Sequence, residues 1–185
     1  MALLRAAIVA AVLPLVGGSG GRRLSQATQT PEYRVKAVFL FNFAQFIDWP
    51  QAAFPDSQAP VVIGVLGDDP FGSLLQETVR GEALGGRPFE VRHYHSVDEI
   101  KACHILFISR SEGDRLQEIL AGLKNRPILT VGDAEGFSLR GGMVRFVMDK
   151  NRIRLRVNLE AAQAANLTIS SKLLRSAEIV TSKTP

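Results

Sequence analysis

"VVIGVLGDDPFGSLLQETV", Val61 to Val79, is the stretch on which the fold turns. Its first six residues form an apolar, largely β-branched run with no polar alternation, the pattern of a strand buried on both faces. A Gly-Asp-Asp turn follows. Asp69 and Pro70 then have the form of a helix start: a carboxylate to cap the first N–H groups, and a proline whose fixed φ suits the first helical position. A doubly buried strand that passes straight into a helix predicts a parallel sheet with helices on its faces.

The same alternation recurs downstream. "PFEVRHY" (88–94), "HILFIS" (104–109) and "PILTVG" (127–132) read as three further strands, with "EGDRLQEILAGL" (112–123) as a helix between the last two. The pattern then changes. "MVRFVM" and "RIRLRV" flank Asp149-Lys150-Asn151, and Ile153, Leu155 and Val157 alternate with Arg152, Arg154 and Arg156. That is a hairpin with one buried and one polar face. A short helix from Leu159 stops near Asn166, and "SSKLLRSA" (170–177) adds a last amphipathic turn or two. The expectation is an α/β fold: a mostly parallel sheet of about four strands with flanking helices, layered as in Rossmann or flavodoxin-like proteins, plus a C-terminal antiparallel hairpin and short helices.

Upstream, "AVFLFNFAQFIDWP" (37–50) holds four of the ten phenylalanines and the only tryptophan. Thr30-Pro31-Glu32 reads as its helix start, and Trp49-Pro50 as its end. Val35, Val38, Phe39, Phe43, Phe46 and Ile47 recur at helical spacing and predict the buried stripe. Arg34, Lys36, Gln45 and Asp48 interrupt the apolar run too often for a membrane span. Leu40, Phe41 and Trp49 fall outside the stripe and need a second neighbour: a partner protein, a second copy, or the C-terminal helix of the chain itself.

Residues 1–27 combine a short basic opening, the apolar run "AAIVAAVLPLV" and small residues up to Ala27. They read as a secretory signal peptide, with 28–185 as one domain; a retained anchor or tail is the alternative. This segment carries three of the chain's 22 bases and no acid, which leaves 19 bases against 18 acids in the remainder. So balanced a charge gives no footprint for nucleic acid. Cys103 is the only cysteine, so no disulfide closes within the chain, and its apolar neighbours favour a buried, inert thiol over a redox switch.

In a parallel sheet, ligands sit beyond the carboxyl ends of the strands. Asp68, Asp69, Ser109, Arg110 and Asp133 lie there and are the candidates for lining a polar pocket. The known chemistries fit poorly. A phosphoryl-accepting receiver needs an aspartate where Ser109 stands. His93 and His95 lie roughly 15 Å from Cys103-His104 along neighbouring strands, too far to share a metal. The Gly-x-Ser-x-Gly match at 17–21 has no strand before it and no helix after it. The sequence therefore predicts no catalytic residue, no metal and no cofactor. Arg145, Arg152, Arg154 and Arg156 share the polar hairpin face, either as a solvated surface with acidic neighbours or as a dock for an acidic partner.

Taken together, "YRVKAVFLFNFAQFIDWP", "VLGDDPFGSLL" and "VGDAEGFSLRGGMVRFVMDKNRIRLRVNLEAAQAANLTISSKLLRSA" resemble the YfiR-like family of exported proteins. The Gly141-Gly142 pair, the hairpin, the Asn158 helix start and the Ser-Ser-Lys-Leu-Leu ending carry most of the likeness. The resemblance implies a periplasmic, non-enzymatic regulator. In that family, a repressor binds the periplasmic sensor domain of an inner-membrane diguanylate cyclase and lowers cyclic di-GMP synthesis and biofilm formation. It also implies a homodimer with no membrane span after signal removal. Some relatives accompany histidine kinases or outer-membrane receptors, so a small-molecule-binding module working with a sensor kinase or receptor is the alternative. Some members carry cysteine pairs, which the lone Cys103 does not reproduce.

Overall fold

The computed structural model describes residues 31–182. The expected signal peptide, the expected Thr30 cap and the 17–21 motif lie outside the described residues. Eight strands form one sheet: β2 (Val61–Leu66), β3 (Ala83–Leu84), β4 (Arg87–Tyr94), β5 (Ile105–Ile108), β6 (Leu129–Gly132), β7 (Val144–Asp149), β8 (Arg152–Asn158) and β10 (Ala177–Val180). Their spatial order is β10-β8-β7-β6-β5-β2-β4-β3. The run from β4 through β2, β5 and β6 to β7 is parallel throughout, as the Val61–Leu66 pattern requires. All six residues of β2 are buried. The result is a mixed α/β fold with a mostly parallel central sheet.

The expected C-terminal hairpin is part of the main sheet. β7 joins β6 in parallel register, Val131 beside Val144 and Gly132 beside Arg145, so β7 and β8 extend the same sheet. Lys150 and Asn151 both take positive φ in the two-residue turn, the geometry that matches strand twist. The expected amphipathic turn in 170–177 forms as a helix over Ser171–Leu174. β10 beyond it, which the sequence did not suggest, pairs in parallel with β8 and forms the sheet edge.

One face of the sheet is covered by α1 (Pro31–Phe43), α2 (Ser73–Val79) and α4 (Leu159–Ala164); α3 (Leu116–Gly122) packs on the other. The helix starts differ from expectation in instructive ways. Asp69 does not cap α2: its Oδ1 accepts from the Phe71 N–H at 2.8 Å, and Gly72, at φ +55°, turns the chain once more before the helix begins. That extra turn drops Phe71 into the core against Tyr33 and Phe107. Asn158 does cap α4, accepting from the Ala161 N–H at 3.0 Å. Phe137, fully buried, lies where a Cβ at Gly142 would come within 2.1 Å and one at Gly132 within 2.6 Å, so both positions must lack a side chain.

α1 departs most from its predicted form. It ends at Phe43, and Ile47–Asp48 become a two-residue strand, β1, paired with β9 (Thr168–Ile169). Its buried face is Lys36, Ala37, Leu40 and Phe43. Val35 and Val38, placed by spacing on the buried stripe, are 47% and 45% exposed.

Candidate functional site

Three regions carry the residues singled out from the sequence: the carboxyl ends of the parallel strands, the aromatic segment 40–49 and the polar face of the hairpin. At the strand ends the chain fills its own crevice. From β2 the chain passes to β4 on one side and then to β5 on the other, which places the switch point between β2 and β5. There the Asp68 N–H donates to Ser111 Oγ at 3.0 Å. A Cβ on Gly67 would lie 2.5 Å from the same oxygen and 2.7 Å from Glu112 Oε1. Ser109 caps this turn by accepting from the Ser111 N–H, and the Asp69 carboxylate lies 3.0 Å from His93 Nε2.

Asp133, past the end of β6, sits at the centre of a separate buried cluster. Its Oδ1 accepts from Arg110 Nε at 3.0 Å. Its Oδ2 accepts from the Tyr33 hydroxyl at 2.9 Å and Lys36 Nζ at 2.5 Å. Lys36 also pairs with Glu32 one turn earlier on α1. The structure thus brings Arg110 to Asp133 and surrounds that carboxylate with donors from its own chain. Burial, and then the Asp133 charge, push the Tyr33 hydroxyl far above its ordinary pKa, so it stays a donor. Sequence reasoning missed Glu32, Tyr33 and Lys36. The one available signal was the four-residue spacing of Glu32 and Lys36.

The aromatic candidates find neighbours within the chain. Leu40 is fully buried, out of reach of any partner in this fold. Phe41 meets Phe89 of β4 at 5.1 Å between ring centroids, and Trp49 stands edge-on to His104 at 5.9 Å. His104 Nδ1 accepts from the Val62 N–H at 3.0 Å, which leaves the ring proton on Nε2. That Nε2 and the Trp49 Nε1 are both buried without a hydrogen-bond partner. Burial lowers the His104 pKa to about 4. Cys103 is buried and its thiol is pushed up to about 12 by burial, the state of an unreactive thiol.

The hairpin arginines lie on the sheet face opposite α1. Phe146 and Leu155 are buried on the helix side, with Phe146 against Phe39 and Phe43, so their alternates Arg145, Arg154 and Arg156 point the other way. Arg156 Nε donates to Glu178 Oε2 of β10 at 2.8 Å, and Arg154 Nε lies 3.5 Å from Asp149 Oδ2. Arg145 stands directly opposite Arg156, and its buried Nε has no partner. Burial and the facing Arg156 both lower its pKa. Arg152, at the hairpin tip, is exposed. Beside this face a groove of about 540 Å³ opens along the start of β10.

Compared with known proteins, residues 33–178 match the family described as YfiR/HmsC-like. No curated protein matches the chain significantly. Among solved structures, the chain is similar to an ABC domain from Streptococcus pneumonia in complex with L-Trp, at 12% identity and a TM-score of 0.52, over 80% of this chain and 60% of that one. It is equally similar in shape to a conserved domain protein from Vibrio cholerae O1 biovar eltor str. N16961, at 10% identity and a TM-score of 0.52, over 80% of this chain and 59% of that one. At such identities the likeness shows the α/β fold alone. The chain spans about 60% of the length of these two structures.

Proposed function

The chain belongs to the YfiR/HmsC-like family, and on that premise we propose that it is an exported, non-enzymatic regulator that works by docking. Its target in this reading is the outward-facing domain of an inner-membrane signalling enzyme, a diguanylate cyclase first and a sensor kinase second. Docking there holds cyclic di-GMP synthesis low. The family match over nearly the whole described chain carries the proposal.

Two surfaces support it. The outer side of α1 presents Val35 and Val38 to solvent, flanked by half-buried Phe39, an apolar strip where a lone surface helix would carry polar residues. Phe41 and Trp49, both partly exposed, are aromatics of the kind that anchor interfaces. The arginine face offers the charge. A homodimer is part of the proposal, as is location in the periplasm; no helix among the described residues is long and apolar enough to cross a membrane.

The test is capture of a membrane partner. The tagged chain is expressed with its own leader and recovered from solubilised membranes, and the co-purifying proteins are identified. A diguanylate cyclase or sensor kinase recovered with wild type and lost with a folded Val35→Lys/Val38→Lys variant supports the reading. Recovery of no membrane signalling protein from a well-expressed sample sinks it and favours the ligand-binding module.

A further inference from the structure

β8 is longer than the strand that covers its outer edge. β10 pairs with it only from Leu155 to Asn158, whereas β7 pairs with it from Arg152 to Val157. Upstream of Ala177 the chain bends away into a short helix, α5 (Ser171–Leu174), instead of continuing alongside β8. The backbone of Arg152–Arg154 therefore has a strand on one side and none on the other. An open edge of this kind is a template for another strand.

The side chains at this edge are basic. Arg152, Arg154 and Arg156 occupy alternate positions on one face, and Arg175 reaches the groove from the α5–β10 link. Against these four arginines the groove and hairpin tip set two acids, Asp149 and Glu178. The molecule itself shows what an acid on a neighbouring strand does here. Glu178 lies in register with Arg156 across the β10–β8 pair and bonds it at 2.8 Å. By contrast, Arg154 reaches only Asp149 at 3.5 Å, with both side chains about half exposed or more.

We propose that this edge takes an extended, acidic segment of a partner protein. The segment adds as a strand beside Arg152–Arg154, in line with β10, and sets carboxylates at alternate positions against the arginines. Alternate residues on an extended chain are ~6.6 Å apart, the same repeat as the arginines on β8, so charge and main chain pair in one register. Residues 1–30 and 183–185 do not fit: they contain Arg5, Arg22, Arg23 and Lys183 and no acid. This inference rests on the docking reading above and specifies its chemistry.

The test uses the tagged chain and three fluorescein-labelled peptides of about ten residues, the length of an ordinary strand. One alternates Glu with Thr; one has the same composition with its Glu in a block; the third is the alternating peptide with N-methylated backbone on one edge. The alternating peptide is expected to bind about tenfold tighter than either control at low salt. It should lose that advantage on Arg152→Glu/Arg154→Glu, whose exposed sites leave the far-UV circular dichroism unchanged. Equal binding of all three peptides means charge attraction without strand addition and overturns the proposal, as does no binding at all. If the peptides fail while a membrane partner is still captured, the docking mode falls and the regulator reading stands. If the alternating peptide binds as expected while no membrane partner is recovered, the edge site stands and the regulator reading falls.

Discussion

Lys36 and Asp133, 97 positions apart, meet as a buried ion pair with side chains 2% and 1% exposed. Removing one charge of such a pair leaves the other desolvated and unmatched, which is far worse than losing a surface salt bridge. Asp133→Asn is therefore expected to lower unfolding free energy by about 3 kcal/mol, the lower end of the range for breaking a buried pair, because Glu32 still holds Lys36. Adding Lys36→Met should recover most of that loss, and urea unfolding of both variants measures it. His104 gives a pH dependence with a definite sign. Its pKa is about 4 in the fold against 6.5 in the unfolded chain, so the unfolded state binds more protons between those values. The stability it contributes is complete above pH ~6.5 and falls as pH drops toward ~4, by up to about 3 kcal/mol. His104→Asn keeps an acceptor for the Val62 N–H and should flatten that part of the stability–pH profile; an unchanged slope would show that burial of His104 is not its source. Neither residue's role was legible in the sequence. Asp133 announced itself as a strand-end acid, but its partners come from a helix a hundred residues earlier, and His104 was simply the polar start of an apolar strand.

At the scale of elements, α1 shows how a periodic pattern can be sound and its register wrong. Val35 and Val38 fit helical spacing with Phe39 and Phe43, yet the face that packs is Lys36, Ala37, Leu40 and Phe43. A helix this apolar has no single stripe, so spacing cannot choose which side turns inward. Lys36 favours that choice, because its Nζ reaches Asp133 only when that side faces the sheet. Hence Val35→Lys/Val38→Lys should change unfolding free energy by less than about 0.5 kcal/mol, while Leu40→Ala should cost about 2–5 kcal/mol. Chemical unfolding of the two variants side by side tests this, and a large loss in the first would mean that the valines are buried after all. The strands were more legible than the helices. Continuous β-branched runs suit only a strand covered on both faces, whereas the ends of α1 and α2 were decided by Ile47 pairing with Ile169 and by Phe71 entering the core.

For the whole molecule, the sheet joins everything. Its two apolar layers, one around Val61, Phe107 and Phe146 and the other around Leu66, Leu106 and Phe137, are the two faces of the same central strands. Both layers are built on those strands, so loss of the sheet removes both, and unfolding of residues 31–182 should be one cooperative transition. Trp49, which packs against the first layer, reports on that layer alone, while far-UV circular dichroism reports on all elements. Their urea transitions are expected to coincide; separate midpoints would mean that α1 and its neighbours come away as an independent unit. The same scale decides where the hairpin goes: its alternating pattern identifies a half-exposed pair of strands, and nothing local says which sheet it extends.

The alternation of the central strands with their helices, the parallel sheet and the family likeness were properties of the sequence by itself, because burial on both faces, turn chemistry and hairpin alternation are local and leave local patterns. The buried Lys36–Asp133 cluster, the outward Val35 and Val38, and the open basic edge of β8 were decided only in the tertiary structure. Each depends on which residues distant in sequence come within a few ångströms of one another. In a helix that is apolar on more than one side, and in a strand whose neighbour stops short, only that proximity distinguishes core from surface.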